Sequence, residues 1–282
     1  MAIDIGALDT FPKLLLHHAA VRAERPAIRE KDLGIWQTWT WKQFAEEAQI
    51  LACALAEQGL RRGDHIALVG DNRPRIYAAM CAAQCLGAVP VPLYQDAVAA
   101  EMAFPIQNAD IAHAVAEDQE QVDKLLEILP QCPRFAHIYY DDPRGLRRYA
   151  QPQLESYERL REIGLEARQR DPGFIAREIA KGVGGDPAAM FFTSGTTATP
   201  KGVVLTNLAL IDRARVAAEM EGLNDRDVVL AYLPPAWIGQ NIFSYAQSFV
   251  TGYCICCPES AETVTTDMRE IGPTYYFAPP RI

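Results

Sequence analysis

Five hydroxyls, two glycines and a lysine fall within one short stretch of this 282-residue chain, TSGTTATPKG. They are Thr193, Ser194, Gly195, Thr196, Thr197, Thr199, Lys201 and Gly202. Hydroxyls donate hydrogen bonds to phosphoryl oxygens, glycines let the backbone come close, and a lysine ammonium is a compact positive charge. Together they suit the tail of a triphosphate. A plain turn between two strands also favours Thr, Gly and Pro, so composition alone leaves both readings open. The stretch departs from the P-loop of the common nucleotide hydrolases, G-x-x-x-x-G-K-[ST]. Pro200 stands where that motif needs its second glycine, and Gly202 stands where it needs a metal-binding hydroxyl. The β-branched run after Lys201, GVVLT, favours strand over helix, so no helix N-terminus is expected to face the anion.

Few other residues could do chemistry. The seven cysteines (Cys53, Cys81, Cys85, Cys132, Cys254, Cys256, Cys257) sit mostly in apolar stretches, and the histidines supply no matching metal-ligand spacing. They read as reduced structural thiols, which points to the cytoplasm. A net charge of -9 argues against nucleic acid, whose backbone needs clustered Lys and Arg, but one local basic site is enough for a small anion. The N-terminus has no basic region before its apolar stretch and so does not read as a signal peptide; no run is long enough to span a membrane.

The elements that must position the Thr-rich stretch alternate along the chain. Thr40 and Gln43 form a capping-box signature ahead of a helical pattern ending at Gly59. HIALVG reads as a strand, Asn72 and Pro74 as the opening of a helix, RIYAAMCAAQCL, closed by Gly87, and AVPVPLY as an edge strand or strand end because of Pro90 and Pro92. AHAVA and FAHIYY continue as strands around a helical face of Val122, Leu125, Leu126 and Leu129. This is the βαβ pattern of a mostly parallel sheet in a layered α/β fold. From Asp141 to Lys181, 17 of 41 residues are charged with mixed sign, which reads as a solvated helical insertion or connector. GVGGDP then breaks the chain, giving an expected first α/β subdomain over 1–182, with an N-terminal arm and the charged insertion (141–181), and the start of a second over 183–282. In that second part AAMFFT and GVVLT flank the Thr-rich stretch, a helix runs from Asn207 to about Glu221, and DVVLAYL, YCICC and TYYFAP read as strands with Tyr232 and Leu233 in the sheet core.

TSGTTATPKG resembles the signature of adenylate-forming enzymes, T-S-G-[ST]-[ST]-G-x-P-K-G, with Ala198 where the family has glycine. If that glycine has positive φ, alanine would cost about 1 kcal/mol and stiffen the loop. LAYLPPAWIGQNIFSY is similar to the family's segment beside the carboxylate substrate, YFAPPRI to the approach to its substrate-pocket helix, and DHIALVGDNRPRIYAAMCAAQCLGAVPVPLY to its early region. The likeness runs from about Phe11 to Ile282, and the Trp-containing LPPAW segment with the charged insertion looks most like long-chain fatty acyl-CoA synthetases.

The resemblance implies the incomplete N-terminal domain of an enzyme that joins a carboxylate to AMP at the expense of ATP and passes the acyl group to coenzyme A. It implies that Thr193 to Lys201 hold the β- and γ-phosphates, that Thr193 helps ligate Mg²⁺, and that Trp237 and Gly239 lie near the acyl entrance; core packing is the other reading of Trp237. It also implies that the adenine- and ribose-binding segments and the catalytic lysine come after residue 282, so this chain alone is expected to be inactive. Aryl- or amino-acid activation, and a non-catalytic nucleotide- or acyl-binding module, are the alternatives. The expected partners are small molecules (acid, ATP, coenzyme A); a fatty-acid enzyme is compatible with peripheral membrane association, although no basic amphipathic helix argues for it, and oligomeric state is not legible.

Overall fold

The computed structural model describes residues 6–193 and 200–278. Its centre is a five-stranded sheet with every pair parallel, in the order β4-β3-β5-β6-β7. Its strands are β3 (His65–Val69), β4 (Val89–Leu93), β5 (His113–Ala116), β6 (His137–Tyr140) and β7 (Leu154–Ser156). Side chains alternate across a strand, and β3 shows it: Ile66 and Leu68 enter one apolar core while Ala67 and Val69 enter another. The first core is closed by α1 (Phe11–Val21), α2 (Trp41–Glu57) and α3 (Pro74–Leu86), the second by α4 (Ala99–Asn108) and α5 (Gln119–Ile128). A parallel sheet covered on both faces has this layered form, and the fold is mixed α/β as expected.

The local signals hold. Thr40 Oγ1 accepts from the Gln43 amide, and the Gln43 side chain accepts from the Thr40 amide. Pro74 opens α3, but Arg73 rather than Asn72 is its N-cap and no side chain caps it, because the Asn72 amide is turned to the Leu233 carbonyl; Gly87 closes the helix at φ 70°, a conformation that costs a glycine nothing. β4 lies at the sheet edge, where Pro90 and Pro92 are tolerated.

Residues 141–181 supply α6 (Tyr157–Arg170) and α7 (Phe174–Lys181), and also the edge strand β7. α6 lies along α2, with Arg161 bonded to Glu47 and the Tyr157 hydroxyl to the same carboxylate. At the crossing, a Cβ on Gly164 would stand 2.1 Å from the Ile50 carbonyl oxygen, a backbone atom that no rotamer change can move. Gly164→Ala is therefore expected to destabilise the chain by about 1–3 kcal/mol through overpacking, despite alanine's better helix propensity. Urea unfolding reads this; a midpoint equal to the parent's would mean that α6 is not seated there.

A second sheet has the order β10-β11-β1-β2, formed by β1 (Pro26–Asp32), β2 (Ile35–Thr40), β10 (Val228–Leu230) and β11 (Cys254–Cys257). It takes strands from both sides of residue 182. Among the described residues of TYYFAP, 274–278, Tyr275 makes an isolated bridge to Val229 and no strand forms, against the expectation from its pattern. Tyr232 and Leu233 are half-buried in the loop after β10 rather than in the sheet core, because β10 ends at Leu230. All seven cysteines are buried and unpaired. Among the described residues, no helix is long and apolar enough to cross a membrane.

Candidate functional site

The Thr-rich stretch joins two antiparallel strands, β8 (Pro187–Thr193) and β9 (Lys201–Thr206). Their register ends with Thr193 opposite Lys201, so the two ends of the signature are neighbours across a ladder, both exposed to solvent. Ser194, Gly195, Thr196, Thr197 and Thr199 lie outside the described residues. A strand follows the lysine, as the β-branched run requires, and no helix starts there. Gly202, opposite Phe192, has a packing reason for its type: a Cβ there would lie 3.0 Å from Met190 Sδ and 3.3 Å from Phe192 Cζ.

The base of the hairpin is tied down. Thr206 caps α8 (Asn207–Glu221) by accepting from the Ala209 amide. Asn207 Nδ2 donates to the Asp186 carbonyl, and Asn207 Oδ1 accepts from the Phe11 amide at the start of α1. β8 runs beside β4. The mouth of the hairpin is thus carried by strands whose far ends are fixed to the helical layer.

The second group of candidates lies on the loop after β10. The Trp237 ring is half-buried and folds back over Gly239, where a Cβ would sit 2.2 Å from two of its ring carbons. Only glycine leaves room for this. Phe277 stacks on Trp237 at 5.7 Å between centroids and on Phe243 at 4.2 Å, and Tyr232 stacks on Tyr276 at 5.7 Å. The Tyr232 hydroxyl also donates to the Phe277 carbonyl. The chain runs on through Asn241–Ala246 as one turn of π-helix, a local form that recurs at functional sites. Trp237 and Gly239 are therefore in contact, and so are Thr193 and Lys201. Among the described residues, no hydrogen bond, ion pair or ring contact joins one pair to the other.

The sequence reading missed the residues that hold this loop. Asn72 follows β3 at the carboxyl end of the parallel sheet, the end where open α/β sheets place ligands. Its Nδ2 donates to the Leu233 carbonyl at 2.8 Å. Beside it, Asp71, Arg73, Gln95, Tyr232, Pro234 and Ser260 help line a recess of about 80 Å³. Burial raises the Asp71 carboxyl above the ordinary range, offset in part by the Arg73 charge. Burial likewise raises Glu117, against the Arg73 guanidinium bonded to it at 2.8 Å. The available signal was positional, a polar Asp-Asn-Arg run directly after a buried strand.

The family model described as AMP-binding enzyme matches residues 15–282. A long-chain-fatty-acid–CoA ligase, ACSBG2 of Xenopus laevis, is 24% identical over 264 residues, which are 91% of this chain and 35% of that protein. The chain spans well under half the length of the curated relatives it matches. Among solved structures, the anthranilate CoA ligase AuaEII in complex with anthranoyl-AMP aligns with a TM-score of 0.81 at 18% identity, covering 95% of this chain and 48% of that one. The N-terminal domain of FACL13 from Mycobacterium tuberculosis aligns at 0.73 and 22% identity, covering 95% and 62%. With all but its first residues accounted for by that family model, this chain belongs to the AMP-binding enzymes.

Proposed function

We propose that this chain carries the phosphate-gripping and acyl-side portions of an ATP-dependent, AMP-forming ligase that activates a long-chain fatty acid and transfers it to coenzyme A. The observation that carries the reading is the hairpin register, which sets Thr193 beside Lys201 at the exposed mouth of a strand pair. The names of the curated relatives support the fatty-acid assignment, and the half-buried Trp237–Phe277–Phe243 stack suits an apolar entrance. Buried, unpaired cysteines support a reducing compartment, the cytoplasm.

The chemistry has two displacements. A carboxylate oxygen attacks the α-phosphorus; the new P–O bond forms as the bond to the β-phosphate oxygen breaks, and pyrophosphate leaves with that electron pair. The thiolate of coenzyme A then attacks the acyl carbonyl, forming a C–S bond while AMP leaves. The first step needs charge stabilisation and positioning more than covalent help. We assign that part to Lys201 Nζ, which would neutralise the charge growing on the departing pyrophosphate, with the hydroxyls at 193, 194, 196, 197 and 199 and the glycine amides at 195 and 202 donating to its oxygens. Among the described residues, no three His, Cys, Asp or Glu side chains gather as a metal cage. Where Mg²⁺ accompanies the nucleotide, the residue of this chain that would hold it is Thr193, whose hydroxyl is the hard oxygen donor such an ion takes, and the ion would supply further positive charge to the phosphates.

The test is acid-dependent ATP–pyrophosphate exchange by the complete gene product across a panel of carboxylates. Exchange is expected to strengthen with acyl length by about fourfold in kcat/KM per buried methylene. The 282-residue chain by itself is expected to give no exchange. Exchange only with aryl or amino acids would replace the fatty substrate, and none with any carboxylate would end the proposal.

A further inference from the structure

We infer that Asn72 is a positioning residue for the loop that carries Trp237 and Gly239, acting together with Tyr77 and Gln240. The inference rests on the proposed reading of that loop as the acyl side of the site. Three buried side chains close a bracket around it. Asn72 Nδ2 donates to the Leu233 carbonyl at 2.8 Å, where the loop leaves β10. The Tyr77 hydroxyl donates to Asn72 Oδ1 at 2.6 Å. Gln240 Nε2, at the far end of the loop, donates to the Tyr77 oxygen at 3.4 Å. Both ends of residues 233–240 are thereby fastened to one short segment, Asn72 just ahead of α3 and Tyr77 in its first turn, while Trp237 and Gly239 lie between the fastenings. Just past the loop, Asn241 Nδ2 donates back to the Pro235 carbonyl at 2.6 Å.

Asn72 is itself fixed from three directions. The Arg73 guanidinium donates to Glu117 and to the carbonyls of Pro258 (2.6 Å) and Glu259 (2.8 Å), which join the ends of β5 and β11 to the end of β3. The Asp71 amide donates to the same Glu117 carboxylate. Tyr77 is braced by stacking on Tyr245 at 5.6 Å, whose hydroxyl donates to Gln84. Asn72, Tyr77 and Gln240 are all buried, at 4%, 3% and 4% exposure. Buried amides and phenols of this kind are costly unless every partner is present, so a shift of Asn72 has to be felt at the loop.

The isosteric variant Asn72→Asp keeps the shape and the acceptor for Tyr77 but removes the donor to Leu233. Asn72→Ala removes both. The readout is ¹⁹F NMR of the chain labelled with 5-fluorotryptophan, whose four tryptophans give separate resonances. The Trp237 signal is assigned by its loss in Trp237→Phe. Both Asn72 variants are expected to move or broaden that signal and leave those of Trp36, Trp39 and Trp41 in place. In the complete gene product, Asn72→Asp is expected to raise the KM for the carboxylate about tenfold and leave the KM for ATP unchanged. An unmoved Trp237 signal in a folded Asn72→Asp chain overturns the inference, as does a parallel rise of both KM values. A gene product that activates no carboxylate would defeat the proposed function instead, and the resonance would still decide whether Asn72 holds the loop.

Discussion

Lys201→Met is expected to lower kcat/KM for ATP-dependent activation by about 10²–10³, the usual loss when one donor to a developing charge is removed. The size follows from position. Lys201 is the first residue of β9, exposed, with Thr193 directly across the ladder. None of the ion pairs among the described residues uses it, although most other cations near helices have a carboxylate partner. A charge left unneutralised at the mouth of a hairpin is available for an anion. Because the side chain is exposed, thermal unfolding should not change, which separates lost grip from lost fold. Lys201→Arg keeps the charge but replaces a compact ammonium with a planar fork, so partial activity is expected. Steady-state kinetics of the complete gene product check this, and parent-like thioester formation by Lys201→Met would remove the lysine from the mechanism.

Gly239→Ala should give the second large effect, a rise of about ten- to a hundredfold in the KM for the acid with ATP unaffected, as expected when a positioned group is displaced by roughly an ångström. The new methyl would stand 2.2 Å from the Trp237 ring, so the ring has to leave the stack it makes with Phe277. A double-mutant cycle tells whether the clash is the whole cause. In a Trp237→Ala background there is no ring to displace, and Gly239→Ala is expected to add almost nothing. Additive effects would mean that Gly239 matters for its backbone rather than for the room it leaves.

Much of the fold was legible because its signals are local. The Thr40–Gln43 capping box, Pro74 and Gly87 at the ends of α3, and the prolines of β4 each act within a few residues, and each appears where expected. The hairpin was legible for the same reason: β-branched residues follow a cluster that cannot continue a helix. What escaped depends on partners far apart in the chain. β1 pairs with β11, Ile28 opposite Ile255, and nothing within either segment specifies the other. The charged stretch looks solvated in sequence, yet Arg161 reaches Glu47, Arg75 reaches Asp141 and Glu158, and Gly164 marks a close crossing. The run of three aromatics in TYYF imitates a strand, whereas the Tyr276 and Phe277 rings serve the Tyr232 and Trp237 stacks. Asn72 was quoted as part of a motif, but its role appears only when the loop from β10 comes to rest against it.

The most direct measurement is a crystal of the 282-residue chain soaked with inorganic tripolyphosphate, which needs only the part of the nucleotide this chain is proposed to hold. Phosphate density is expected at the mouth of the β8–β9 hairpin, with Lys201 Nζ about 3 Å from a phosphoryl oxygen and Thr193 beside it. A well-ordered hairpin with no density at millimolar tripolyphosphate, or density bound only elsewhere on the chain, would contradict the claim that these threonines and this lysine grip a polyphosphate.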